Sequence, residues 1–468
     1  MSADTETGWL ADLIYYQGNF ESDLAIFADS TGIIRRISRE PDDLKNAARL
    51  KNQAILPGLV NVHSHTFQRA IRARTEHRTT GDRDTFWTWR EAMYHAAERL
   101  SPGDIYVIAL MAFLEMLLSG ITTVGEFHYL HHGRRGDPYV DRNLLAHHVL
   151  GAATLVGLRI VLLRTAYARS GWNKPPNPGQ ARFITPHPAD FIADTEALRS
   201  SAPLLFPDAK ASVAVAPHSV RALPLDYIRE VASYARVANL PLHMHVSEQP
   251  DEILECLAEH GVRPVELLRD HGVVDARFTG IHAIHVTEAE VQALGNAGAR
   301  VCACPTSERN LGDGAVPADR LMENRVGICF GSDSNIQIDL LEDARLLEYH
   351  LRMTRLERAV LAPPSGRGAL AQRLFESATE TGAAALGTPV GTLEIGKAAD
   401  FFTVDLNDPS LAGADPASLL NHIVFALERT AIREVCVAGE MLIHDGRHAR
   451  EEEIVQDFSQ LQRRLWMY

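Results

Sequence analysis

The feature that most constrains this chain is an alternation of short apolar, strand-like runs with longer segments of helical character, repeated until eight runs have been counted. The runs end near His63, Glu126, Arg164, His218, His245, His282, Pro305 and Asp333, after stretches such as ITTVGEF, RIVLLR, SVAVAPH, LPLHMHV, FTGIHAI, RVCAC and GICFGSD. Strands alternating with helices predict a parallel sheet with crossover helices, and eight of them predict an α/β chain closed into a (β/α)8 TIM barrel. Such barrels carry their chemistry at the C-terminal strand ends, which is where the polar residues fall here.

At 468 residues the chain exceeds one ordinary core, so a satellite domain is expected. Apolar runs at 13–16, 24–27 and 33–37 read as a small sheet, as do VGTLEIGKAADFFTVDL (390–406) and VCVAGEMLIHDG (435–446). The expected organisation is a small β-sandwich domain from both chain ends (1–56 and 388–450), a hydrolase barrel over 57–387 and a C-terminal helix over 451–468. Residues 169–187, with SGWNKPPNPGQ inside, read as a long loop over the barrel mouth, either a gate or an ordered connection.

The formal net charge of −14 argues against nucleic acid, which requires clustered Lys and Arg, but leaves room for a small anion held by a few convergent arginines. Five cysteines, at 256, 302, 304, 329 and 436, form neither a disulfide framework nor a zinc ribbon, so a reducing compartment is expected. The start lacks a secretory pattern and no apolar run reaches 18 residues, which predicts a cytoplasmic chain without membrane partners.

The segment PGLVNVHSH places His63 and His65 two apart at a strand end, a spacing that points both imidazoles to one side. Alone that is weak. HMHVSEQ adds His243 and His245, IHAIHVT adds His282 and His285, and GSDS adds Asp333, each at another strand end. Imidazoles and a carboxylate converging from separate strands suit divalent zinc, although iron, manganese or nickel accept the same donors.

These four motifs resemble the metal motifs of the amidohydrolase superfamily, in its deaminase and chlorohydrolase branch. The resemblance implies one zinc ion on His63, His65, His245 and Asp333, with His282 beside the water that the metal activates. His243 and His285 read as structural histidines that pack or hydrogen-bond. The fourth strand ends in APHSV, and Lys210 lies at its opposite end, so the lysine-bridged two-metal arrangement of other branches is not expected. Zinc lowers the pKa of a bound water to about 7. Asp333 and His282 are placed to take its proton, and Glu248, three residues past His245, to pass one to a leaving nitrogen.

Five further blocks, NVHSHTFQRAIRA, DTFWTWREAMY (84–94), GEFHYLHH (125–132), APHSVRA (216–222) and CPTSERNLGDG (304–314), resemble the formimidoylglutamate deiminase family. The resemblance implies hydrolysis of N-formimino-L-glutamate to N-formyl-L-glutamate and ammonia, in histidine degradation, by a homodimer. Its substrate carries two carboxylates, which arginine forks bind well. Arg90 and Arg221 are then the carboxylate-binding candidates, with Gln68, Tyr129 and His218 as hydrogen-bond partners. The alternatives are a deaminase acting on a cyclic amidine such as guanine, or a non-catalytic barrel scaffold.

Overall fold

The computed structural model describes residues 6–78, 83–206, 210–364, 366 and 368–466; Met1–Thr5 and the last two residues of the expected C-terminal helix lie outside them. Eight parallel strands follow one another around a barrel: β1 (Leu59–Ser64), β2 (Ile121–His128), β3 (Arg159–Ala166), β4 (Ala211–Pro217), β5 (Leu242–Val246), β6 (Phe278–His282), β7 (Arg300–Ala303) and β8 (Gly327–Phe330). Every residue of β1, β2, β3, β5 and β6 is buried, as expected for strands covered by helices outside and packed side chains inside.

The ring closes beyond β8. Ser64 bridges Asp333 in parallel, Asp333 N donates to His63 O at 2.9 Å, and His65 N donates to Asp333 O at 2.9 Å. Closure needs Gly331, because a Cβ there would stand 2.7 Å from His63 Cβ and 2.8 Å from His63 O.

Helix starts follow the local chemistry. Thr85 and Ser101 form capping boxes at Phe86–Arg99 and Pro102–Leu118, and the Asp339 carboxylate accepts from Leu341 N and Glu342 N to start Leu340–Arg355.

Both chain ends contribute to a separate nine-stranded mixed sheet. Thr7–Tyr16 pairs in parallel with Ala48–Pro57, which pairs antiparallel with Phe401–Asp405, so this register joins the early strands to the late ones. The helix Glu451–Trp466 returns to the barrel, where Gln462 Nε2 and Trp466 Nε1 donate to Ala70 O at 3.1 and 3.2 Å. Among the described residues no helix is long and apolar enough to cross a membrane.

Arg159, opening β3, reaches Asp400 of the mixed sheet with a two-pronged pair at 2.9 and 3.0 Å, and both side chains are buried. Asp400 Oδ1 also accepts from Ala438 N at 2.7 Å. Removing one partner of a buried pair leaves the other charge uncompensated, at a cost of about 3–5 kcal/mol. Asp400→Ala is therefore expected to lower the denaturation midpoint clearly while leaving the distant barrel mouth, and kcat, nearly unchanged; an unshifted midpoint would count against a structural tie here.

Candidate metal centre and pocket

His63 and His65 leave β1 on one face, with ring centroids 4.5 Å apart, and His245 from β5 stands 4.8 Å from His63. Asp333 Oδ1 lies 3.2 Å from His63 Nε2 and 3.3 Å from His65 Nε2. Donor atoms of His63, His245, His282 and Asp333 all fall within 4.8 Å of one another. The four expected ligands and His282 are thus brought together, at the barrel end the sequence indicates.

Hydrogen bonding assigns the ring nitrogens. His65 Nδ1 meets Phe127 O at 2.9 Å and His245 Nδ1 meets His218 O at 3.2 Å. A carbonyl only accepts, so both rings carry hydrogen on Nδ1 and keep the Nε2 lone pair for another partner. Both His63 nitrogens are buried without a hydrogen-bond partner. Burial pushes the His63 imidazole down to about 3, aided by His65, and pushes His245 well below the usual range, aided by His218. Burial alone would push the Asp333 carboxyl up, but adjacent His63 and His282 hold it well below the ordinary carboxylate range. Neutral imidazoles with open lone pairs beside an ionised carboxylate are what a divalent cation requires, so these residues fit a metal.

His282 ends β6 with φ 69°, and Ser247 and Asp333 follow their strands with φ 52° and 44°. Non-glycine residues in this left-handed region are strained, and here all three sit at strand ends around the site. His282 Nε2 lies 3.7 Å from Glu248 Oε1, and its Nδ1 lies 3.2 Å from Glu308 Oε1.

The cluster opens on a cavity lined by His65, His245, Asp333 and Glu248 together with Gln68, Arg90, Tyr129, His218 and Arg221. All the sequence-predicted substrate residues therefore meet in one pocket. Gln68 Nε2 donates to Tyr129 OH at 2.9 Å, which leaves the phenol hydrogen available. Burial pushes the Tyr129 phenol well above its ordinary value, so it stays a neutral donor. His218 stacks on His245 with centroids 4.8 Å apart, and burial together with Arg221 pushes its imidazole well down, keeping it neutral.

The two arginines are held differently. Arg90 lies against the Trp87 and Tyr94 rings and donates to Tyr167 OH at 2.9 Å; among the described residues it has no carboxylate partner. Arg221 donates to Glu248 Oε2 at 2.7 Å and stands 3.2 Å from Glu252 Oε2, while its buried Nη1 has no partner. The expected substrate clamp is thus also the cation that holds the expected proton carrier.

Phe86 and Trp89 belong to the pocket wall, and Trp87 lies against Arg90 and Arg221. Glu252, Tyr94, Tyr167, Phe183 and Gln180 were not legible as site residues. Gln180 sits in the long loop, where its Nε2 donates to Tyr94 OH and Tyr167 OH at 2.7 and 2.9 Å. Further contacts tie that loop down: Arg169 forks onto Glu259 at 2.7 and 2.6 Å, Lys174 pairs with Glu255, and Arg182 Nε donates to His132 O at 3.0 Å. Of the two histidines read as structural, His243 Nε2 meets Ala385 O at 2.9 Å and His285 Nε2 meets Asp313 O at 3.0 Å. Lys210, at the far end of β4, pairs with Glu440 of the mixed sheet.

The amidohydrolase family model matches residues 54–442. Formimidoylglutamate deiminase of Pseudomonas aeruginosa is 38% identical over 92% of this chain and 93% of its own. A 5-methylthioadenosine/S-adenosylhomocysteine deaminase of Halobacterium salinarum is 28% identical over 84% of this chain and 81% of its own. Among solved structures, an amidohydrolase from Brucella melitensis superposes with a TM-score of 0.90 at 33% identity, covering 98% of this chain and 99% of that one.

Proposed function

Because the chain belongs to the amidohydrolase family, we propose that its pocket hydrolyses the formimino group of N-formimino-L-glutamate, giving N-formyl-L-glutamate and ammonia. The observation that carries the substrate is the pair of arginines above the histidine and aspartate cluster, Arg221 buried and Arg90 half-buried, the latter without a carboxylate partner among the described residues. A guanidinium lining an aromatic-walled cavity is matched by a carboxylate, and the substrate brings two.

His63, His65, His245 and Asp333 would hold one zinc ion, which when bound would supply a Lewis acid able to lower the pKa of a water from 15.7 to about 7. The chain does the rest. Arg90, Tyr129, Gln68 and His218 hold the carboxylates and fix the formimino carbon over the cluster. The free oxygen of Asp333 and His282 Nε2 receive the proton of the attacking water. Glu248 takes up the second proton of that water as the tetrahedral adduct collapses to the carbonyl, and both protons pass to the terminal nitrogen, which leaves as ammonia while the amino-acid nitrogen stays in the formamide.

The same reading carries a cytoplasmic homodimer acting in histidine breakdown; sedimentation at twice the 51.6 kDa chain mass is expected, and a monomer would count against it.

The deciding experiment is an ammonia-release screen of the metal-loaded protein with N-formimino-L-glutamate, N-formimino-L-aspartate, guanine and methylthioadenosine. Release from the first is expected to exceed that from either purine by at least roughly 10²-fold in kcat/KM, since a site built for charged groups rejects analogues lacking them, and that from N-formimino-L-aspartate, one methylene shorter, by roughly 10- to 200-fold. Release from a purine alone overturns the reading. Metal analysis is expected to return one equivalent of zinc per chain; two tightly held equivalents would refute the single-metal site.

A further inference from the structure

The carboxylate of Glu308 is absorbed by none of the roles above. It belongs to CPTSERNLGDG, opens the helix Pro305–Leu311 after β7, and is 1% exposed. Its Oε1 accepts from Cys304 N at 2.8 Å and lies 3.2 Å from His282 Nδ1, while Oε2 is buried without a partner.

The contrast with the neighbouring histidines gives this contact its meaning. His65 and His245 each direct Nδ1 at a neutral backbone carbonyl. His282 directs Nδ1 at a carboxylate, and its Nε2 at the space between Glu248 and the metal cluster. The partner also fixes the tautomer. Cys304 N–H can only donate, so Glu308 Oε1 acts as an acceptor there, and with the carboxylate ionised the contact to His282 places hydrogen on Nδ1. In the neutral ring this leaves the Nε2 lone pair turned toward Glu248 and the His63, His245 and Asp333 cluster. A strained backbone at His282, with φ 69°, has no glycine freedom to hold this pose on its own.

We propose that Glu308 is a positioning residue for the hydrolysis, which locks the ring orientation and Nδ1–H tautomer of His282 so that Nε2 receives the proton of the attacking water. The helix start at Pro305 sets the carboxylate in place, and the backbone of Cys304 orients it. His282, Cys304 and Glu308 also form a compact donor set, but the hydrogen bonds on the Glu308 oxygen account for their proximity without an ion.

The test compares Glu308→Ala, which removes the acceptor, with Glu308→Gln, whose amide oxygen is kept on the His282 side by Cys304 N–H. Glu308→Leu, which fills the volume without an acceptor, replaces Glu308→Ala should the smaller side chain not fold. In the metal-loaded protein Glu308→Ala is expected to lose roughly 10- to 100-fold in kcat, with KM within about threefold and full zinc content, and Glu308→Gln is expected to recover most of the loss. A wild-type kcat in Glu308→Ala overturns the proposal. So does a loss that appears in KM and zinc content, or that Glu308→Gln shares in full.

The kinetic arm rests on the proposed deimination, so a second arm is independent of substrate. Crystal structures of the two variants with metal loaded are expected to show the His282 ring turned or doubly placed in Glu308→Ala and unmoved in Glu308→Gln. A ring that holds its place in both overturns the proposal even if another substrate proves to be the true one.

Discussion

Glu248→Gln is expected to lower kcat on N-formimino-L-glutamate by roughly 10²- to 10⁴-fold, the usual contribution of a positioned acid/base group, with zinc content unchanged. The geometry makes the amide a clean probe. Glu248 reaches His282 Nε2 at 3.7 Å on one oxygen and accepts from Arg221 at 2.7 Å on the other, and a glutamine keeps both contacts in shape while losing the transferable proton. Its position three residues past His245 keeps it off the ligand set. Measured kcat within tenfold of wild type, at equal metal loading, would remove Glu248 from the proton path.

Arg90→Met is expected to cut kcat/KM for the same substrate by roughly 10- to 150-fold, the equivalent of losing a charge-assisted hydrogen bond worth about 1.5–3 kcal/mol. The methionine keeps much of the packing on Trp87 and Tyr94 and leaves no buried carboxylate of the protein stranded. Arg221→Met is a less selective change. It deprives Glu248 and Glu252, both buried, of their cation, so stability and kcat are expected to fall together. Arg90 therefore reports on carboxylate recognition, and Arg221 on the coupling of recognition to the proton carrier. Ammonia release by Arg90→Met with unaltered kcat/KM would refute recognition through that guanidinium.

What could be read from the amino acids and what could not divides along sequence separation. The eight strands were legible because each is a compact apolar run with its polar residue at one end, as ITTVGEFH and FTGIH show. His63 and His65 were legible as a pair because a two-residue spacing on a strand dictates their common side. The Arg221 pairing to Glu248 and Glu252 was not, since these charges lie on different strand-loop units and each is ordinary in its own neighbourhood. Gln180 was hidden for the same reason: a glutamine in a proline-rich loop gives no local hint that it will reach Tyr94 and Tyr167. Glu308 lay within a recognised block, yet its task depends on a tautomer that only the partners of His282 define.

The seam that closes the barrel has a consequence for how the protein comes into being. The backbone bonds joining His63, His65 and Asp333 link the first barrel strand to the turn after the last, so they are long-range contacts that span the whole barrel sequence. Distant contacts form late, because long loops must close first. During synthesis the histidines of β1 and β5 emerge well before Asp333, and a nascent chain that stops short of residue 333 has its imidazoles without the carboxylate that completes the set. The His63, His65, His245 and Asp333 set is therefore complete only in a chain whose ring has shut.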